Sequence, residues 1–332
     1  VLKVPVAFHT TGLHRIQAGE DLPSSAVGGS GPAGISNPVL VTRRRSDLRT
    51  LWGQLHVHSG RSHDGTGRTE DAFLSARDEA GYEFLSVTDH CNSPGYNFYT
   101  AARIADSFDE PGRFAACRGY EWTAPRGHRQ VIFADSTAET AACEVLGPDV
   151  SGVILAPELV DIDREALDRR ALLVVHHPLW NGPWNNTFDD FTLGDPASPP
   201  AAQRLLEIPS HPGRAEYSAN EPYGSHGNRD EQQPPSVPAS YQDALRLGFR
   251  LGGVAGSDNH QAQADSWTGF TLGPDNRRYS RKGITAVLAG KVSRETIFAA
   301  FQDGRTYATT GARIRLRVTG NGSPMGARVR SG

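Results

Sequence analysis

LWGQLHVHSGRSHDGTG, residues 51–67, places three of the chain's 12 histidines within eight positions, directly after an apolar run. In an extended strand alternate side chains share a face, so His56 and His58 project together while Leu55 and Val57 pack behind them. Two imidazoles on one face of one strand make a natural metal pair. Without an ion, two such rings compete for the same hydrogen-bond partners. GSDNH, residues 256–260, repeats the pattern with Asp258 and His260. Its alternative is a turn whose Asp258 and Asn259 cap a following helix.

Working outward from this stretch, five further apolar runs carry a metal-capable or polar residue at or near one end. They are FLSVTDH (84–90), FAACRGYEWT (114–123), HRQVIFA (128–134), ALLVVHHP (171–178) and LLEIPSH (205–211). With the two runs already quoted they make seven, interleaved with helical patterns. In α/β barrels functional groups gather at the carboxyl ends of the parallel strands, so the pattern predicts an α/β fold with a seven-stranded barrel and one shared site. His90 and His177 close apolar runs as ligands or as structural histidines. Glu121 stands beside aromatic residues, and a buried carboxylate there needs a cation or several donors to offset its desolvation. A position between two metals satisfies it, as does a salt bridge to arginine. Asp64 is a ligand or a turn residue beside Gly65, with His63 as its competitor. His128 and His211 read either as loop histidines or as members of the site.

Composition narrows the setting. The net charge of −3 excludes a dedicated nucleic-acid binder, which needs a concentrated basic face, so a small-molecule substrate fits better. No apolar run reaches the roughly 18 residues of a membrane span, and no basic segment followed by an apolar core opens the chain; a cytoplasmic protein is the expectation. Cys91, Cys117 and Cys143 form an odd set without a C-x-x-C pair, which reads as buried free thiols. Residues 1–50 look like a small N-terminal β extension: VPVAFHT, LHRIQA and NPVLVT are strand-like, around the Gly/Pro/Ser-rich LPSSAVGGSGPAGISNP. Residues 51–332 form the barrel, closing with a helix at SRETIFAAFQDG (293–304) and a C-terminal strand pair, TYATTG with ARIRLRVTG.

HVHS…HDG, VTDH, GYEWT, HHP and GSDNH, in that order over residues 52–260, resemble the motifs of the polymerase and histidinol phosphatase (PHP) superfamily of metallohydrolases. YEWTAPRGH, LLEIPSHPGRAE and TYATTGARIRLRV are most similar to its carbaryl-hydrolase-like branch. The resemblance implies a distorted (β/α)7 barrel holding two or three divalent ions: zinc, manganese or iron. His56 and His58 would hold one ion, and Glu121 would bridge it to a second bound by His128 and His177. Asp64, His90 and His260 would hold the third, with Asp258 as a further bridge. Many members read Ser-Asp-Gly after the H-x-H, whereas here His63 lies between Ser62 and Asp64, so the ligand at that corner is Asp64 or His63.

The activity so implied is metal-dependent hydrolysis of ester-type bonds, carboxylic, carbamate or phosphoric, by a metal-bridging hydroxide, with Glu121, Asp258 and His211 as catalytic groups. No G-x-S-x-G elbow competes with this reading. Amidohydrolase barrels also open with H-x-H, often with a carbamylated lysine bridge. No lysine lies between Lys3 and Lys282, which excludes that version and leaves a mononuclear amidohydrolase. A non-catalytic binding protein with structural metals is the reading from another class. Residues 178–240 are Pro- and aromatic-rich and read as loops over the site, with Trp180, Trp184 and Tyr223 as walls and Arg214 or Arg229 as anion contacts.

Overall fold

The structure is a computed structural model that describes residues 10–14, 17–18, 34–35, 39–41, 47–124, 127–134, 163, 166–167, 170–178, 201–210, 213–217, 240–264 and 283–327. His211, Trp180, Trp184, Tyr223, Arg229, Cys143 and most of VPVAFHT lie outside these residues, as does the Arg214 side chain. The chain divides into two units, Val1–Asp47 and Leu48–Gly332. In the first, β1 (Gly12–His14) pairs antiparallel with β4 (Val39–Val41), and β2 (Gln17–Ala18) with β3 (Gly34–Ile35).

The second unit is mixed α/β and holds two five-stranded sheets. The first contains β5 (Arg49–Gln54), β6 (Phe84–Ser86), β7 (Ala115–Cys117), β15 (Ile284–Ala289) and β16 (Thr306–Thr309), in the order β16-β15-β5-β6-β7. The second contains β8 (Gly119–Ala124), β9 (Gly127–Phe133), β10 (Ala171–Val175), β11 (Gln203–Glu207) and β14 (Gly252–Val254), in the order β14-β11-β10-β9-β8. A short pair, β12 (Pro209–Ser210) and β13 (Gly213–Arg214), follows β11. The β5-β6-β7 and β10-β11-β14 ladders are parallel.

The expected barrel is therefore not one continuous seven-stranded ladder among the described residues. FAACRGYEWT is two strands in different sheets, broken at Arg118, whose guanidinium is drawn to Asp106. β9 runs antiparallel to both of its neighbours. The cause is chain length: only Pro125 and Arg126 separate β8 from β9, and a parallel return needs a crossover of about a dozen residues. The two sheets touch through single parallel bridges, Val57 with Asn259 and His90 with Glu121. Backbone bonds from His58 N to Asn259 O (2.8 Å), Asp258 N to His56 O (3.1 Å) and Cys91 N to Glu121 O (3.0 Å) reinforce them.

Apolar side chains from both sheets meet in one cluster: Leu51, Leu55, Phe84, Leu172, Val174, Leu205 and Val254 pack with Ile297 and Phe301. The last two come from α4 (Arg294–Gln302), which occupies the stretch expected to be helical and is capped by Ser293 accepting from Thr296 N. A second layer packs Trp52, Leu85 and Phe114 against Phe73 of α1 (Thr69–Leu74) and Ala105 of α2 (Phe98–Phe108); α3 (Tyr241–Arg246) precedes β14. Phe301 is fully buried and meets Phe84 edge-on at 5.8 Å. Phe301→Ala is expected to cost about 3–5 kcal/mol through the cavity it leaves, read as a lowered urea midpoint at unchanged slope.

The C-terminal strand pair differs from expectation. TYATTG supplies β16, whose partner is β15, and residues 312–318 form no strand. Instead β17 (Thr319–Gly320) pairs with β18 (Ser323–Pro324). Between them Asn321 and Gly322 both have positive φ, as a two-residue hairpin turn requires. Cys91 and Cys117 are buried free thiols, and burial pushes both up to about 12. No helix among the described residues is long and apolar enough to cross a membrane.

Candidate metal centre

The parallel ladders bring the ligand-type side chains to one end. His56 and His58 follow β5, Asp64 lies in the next turn, His90 follows β6, His176 and His177 follow β10, Glu207 ends β11, and Asp258 and His260 follow β14. Glu121 sits inside β8. Because β9 is antiparallel, its start lies at the same end, and His128 stands there beside His176, whose backbone N donates to His128 O at 3.3 Å.

At the centre, four atoms from three segments converge. His56 Nε2 lies 3.0 Å from His58 Nε2, 3.1 Å from Glu121 Oε2 and 3.3 Å from Asp258 Oδ1; His58 Nε2 is 3.1 Å from each of those oxygens. Two imidazole nitrogens 3.0 Å apart repel when both carry protons or both present lone pairs; a hydrogen bond with one ring as donor relieves this, and so does a shared cation, which also engages the two carboxylate oxygens beside them. Tetrahedral zinc, with ligand distances of about 2.0–2.2 Å, spaces its ligand atoms about 3.3–3.5 Å apart, close to the spacing found here. The donor set fits a divalent ion.

Around this quartet the other candidates form overlapping groups. Glu121, His90 and His128 cluster, with His128 Nδ1 2.7 Å from Glu121 Oε1 and His90 Nδ1 3.5 Å from Oε2. Glu121, His176 and His177 form another group, and His58, His90 and His260 a third. Asp64 Oδ2 reaches His260 Nε2 at 3.1 Å and His90 Nε2 at 3.5 Å. His63 is exposed and turned to Ser93 Oγ, 3.1 Å from its Nδ1. All nine residues that the resemblance implied as ligands thus lie at one site; Asp64 turns its carboxylate to His90 and His260, and the His63 ring lies 5.4 Å from the His90 ring.

Three members, Glu207, His176 and Asp89, are not among the residues singled out from the sequence. Glu207 lies with both oxygens against His56 Nδ1 at 3.1 and 3.3 Å, and His176 Nδ1 bonds the same carboxylate. The clue in the sequence was the carboxylate closing the buried run LLE. Asp89 fixes the turn after His58, accepting from Ser59 N at 2.6 Å and Ser59 Oγ at 2.8 Å. Two of the candidate ligands hold positive φ, His177 at 33° and Asp258 at 50°. Strain of that kind persists only where surrounding structure imposes it, and it collects at functional sites.

Burial disfavours charge on every group here, and mutual contacts decide the outcome. For Glu121 and Asp258 burial raises the pKa, but the neighbouring imidazoles outweigh it and hold both carboxyls well below the usual range. Burial pulls His56, His90 and His176 down, yet the facing carboxylates lift all three above 6.5; Asp258 and Asp64 lift His260 to about 9. Burial and the adjacent imidazoles leave His177 well below its ordinary value, and burial keeps His128 low as well. In the metal-free chain the raised histidines contribute stability that is complete below pH 6.5 and is lost as pH rises through their folded values. Divalent ions compete with those protons. The difference in melting temperature between metal-loaded and metal-free protein is therefore expected to widen between about pH 6 and pH 9; a constant difference would contradict the assignment.

Comparison with known proteins adds relatives. A family model described as a protein of unknown function, DUF3604, matches residues 249–326. An uncharacterized protein of Chlamydia trachomatis is 25% identical over 335 residues, covering 97% of this chain and 48% of that protein. One of Chlamydia muridarum is 24% identical over 292 residues, covering 84% of this chain and 42% of its own. This chain thus spans about half the length of the curated relatives it matches. Among solved structures, a two-domain protein of Bacteroides vulgatus, described as containing a predicted PHP-like metal-dependent phosphoesterase, aligns with a TM-score of 0.49 at 19% identity, over 81% of this chain and 69% of its own.

Proposed function

We propose that the chain is a metal-dependent hydrolase of ester-type bonds in a small molecule, of the PHP kind that its motifs resemble. The observation that carries this is the buried quartet of His56, His58, Glu121 and Asp258, whose imidazole Nε2 atoms lie 3.0–3.3 Å from each other and from the carboxylate oxygens. Three further groups of ligands share Glu121 or His58 with it, which supports a site for two or three ions. In that reading the His90–Glu121 and Val57–Asn259 bridges join seven strands, β5, β6, β8, β9, β10, β11 and β14, into a distorted ring.

His56, His58, Glu121 and Asp258 would hold one ion; Glu121 would share a second with His128 and His177, and Asp64, His90 and His260 would hold a third. Bound divalent ions supply Lewis acidity, polarising a substrate oxygen and making water a nucleophile at neutral pH. The chain's own residues fix the geometry. Glu121 presents both oxygens to imidazoles and so sets the spacing between groups. The neighbouring imidazoles keep Asp258 ionised, and its place in the quartet, not its acidity, makes it the carboxylate that would take up a proton from attacking water. His211, the other shuttle named from the sequence, lies outside the described residues.

Charge near the site bears on the substrate class. Arg129 is committed to Gln203 Oε1 and the His128 carbonyl, and Arg61 donates to Thr69 Oγ1. With Arg129 engaged by the protein and Arg61 held through Nε alone, an uncharged carboxylic or carbamate ester suits the site, as the carbaryl-hydrolase-like resemblance also implies. A centre of two or three dications suits a phosphoester equally well. The test is a parallel assay of p-nitrophenyl phosphate, bis-p-nitrophenyl phosphate and aryl acetates or carbamates with metal-loaded protein. Metal-dependent turnover of any of them supports the proposal, and the pattern assigns the class. Turnover of none, with loss only of stability on chelation, would favour a binding protein with structural metals.

A further inference from the structure

Glu207 is fully buried, last in β11, and belongs to none of the ligand positions carried over from the motifs. Its carboxylate reaches across from one sheet to the other. Oε2 lies 3.1 Å from Nδ1 of His56, which follows β5 of the first sheet, and also bonds Nδ1 of His176, which follows β10 of its own sheet. Both contacts fall on Nδ1, so both rings turn Nε2 away from Glu207. His56 Nε2 thereby enters the quartet, and His176 Nε2 faces Asp258 Oδ2 at 3.6 Å. We infer that Glu207 is a positioning residue, a single carboxylate that clamps His56 and His176 in the Nδ1–H tautomer and so aims both Nε2 atoms at the metal centre.

Three considerations bear on the clamp. An imidazole that binds a metal through Nε2 is fixed in orientation and made more basic when its Nδ1–H donates to a carboxylate. Gln130 shares the His56 Nδ1 corner with its amide nitrogen, a donor, 2.7 Å from Nδ1, so the Nδ1–H tautomer requires that amide to be turned end for end, which brings the unbonded Gln130 Oε1 to the proton. The third is steric. A Cβ on Gly256 would stand 2.0 Å from Glu207 Oε1 and 2.4 Å from His56 Cβ, so glycine at 256 is what lets the loop after β14 close over the clamp.

The inference rests on the metal-centre reading, and the two can fail separately. The experiment titrates zinc into wild-type, Glu207→Gln and Gly256→Ala chains against a competing chelator. It is paired with nitrogen-15 spectra of the histidines in the zinc-loaded wild type. Glutamine keeps the volume but retains only one acceptor oxygen, while alanine at 256 displaces an intact carboxylate. The expected result is a zinc dissociation constant raised about 10–100-fold in both variants with the number of ions unchanged. In the wild type, both His56 and His176 should show the Nδ1–H tautomer with a strongly hydrogen-bonded proton. Zinc affinity within about twofold of wild type in Glu207→Gln would overturn the clamp while leaving the metal centre standing. Loss of a whole ion from that variant, with Nδ1 of His56 metal-bound in the wild type, would overturn it in favour of an ion held at Glu207. A wild type that binds no zinc removes the centre itself. If either variant fails to fold, the wild-type tautomers decide: the Nε2–H form at either ring overturns the inference.

Discussion

Glu121→Gln is expected to lower turnover by more than about 100-fold and to reduce the number of divalent ions held per chain, while the protein stays folded. Each oxygen of this side chain has its own set of partners. Oε2 stands 3.1 Å from both His56 Nε2 and His58 Nε2 and 3.5 Å from His90 Nδ1, and Oε1 is 2.7 Å from His128 Nδ1. One carboxylate thus touches members of three ligand groups, and it is held ionised in a dry interior by their imidazoles. Glutamine keeps the shape, removes the charge and turns one acceptor into a donor that faces imidazole nitrogens. Changes to residues that merely support a ligand typically cost about 10–100-fold, so loss of a shared ligand should cost more. Circular dichroism matching the wild type, together with kcat and ions per chain, separates this outcome from unfolding. Near-normal turnover without excess metal would place the site elsewhere.

The second large effect belongs to Asp258. Asn rather than Ala is the informative replacement, because residue 258 holds φ at 50°, a conformation that asparagine tolerates and alanine resists. Asp258→Asn should therefore keep the loop in place while removing the charge that His56 Nε2 and His58 Nε2 approach within 3.3 and 3.1 Å. A fall in kcat of more than about 100-fold is expected, with one ion bound more weakly. Because Asp258 is also the proposed proton acceptor, saturating metal should restore binding without restoring kcat. Full rescue by metal alone would confine Asp258 to a binding role.

How far the sequence could lead is clearest at individual residues. Alternation along an extended strand was enough to place His56 and His58 on one face, since that geometry is local. Which of the paired histidines 176 and 177 points where was not local. The backbone at His177 turns to positive φ, so both rings enter the site, one against Glu207 and one beside His128. Glu207 itself escaped notice because nothing in LLEIPSH says that a strand of the other sheet will bring His56 to meet it. The same limit applied to the fold. Apolar runs mark most of the strands, but the reversal of β9 is decided by a two-residue connection, and β7 and β8 part at Arg118, whose guanidinium bonds Asp106. The exposed Ile314, Leu316 and Val318 have a strand's alternation, yet β16 paired with β15 instead, through contacts far apart in the chain.

The central claim is that the chain's histidines and carboxylates converge to hold metal. It is tested most directly by elemental analysis of the purified chain, before and after chelation, dialysis and reconstitution with zinc, manganese or iron. The account predicts two or three divalent ions per chain, removed by chelator and regained on reconstitution. Fewer than one ion per chain, with no uptake on reconstitution, would contradict it.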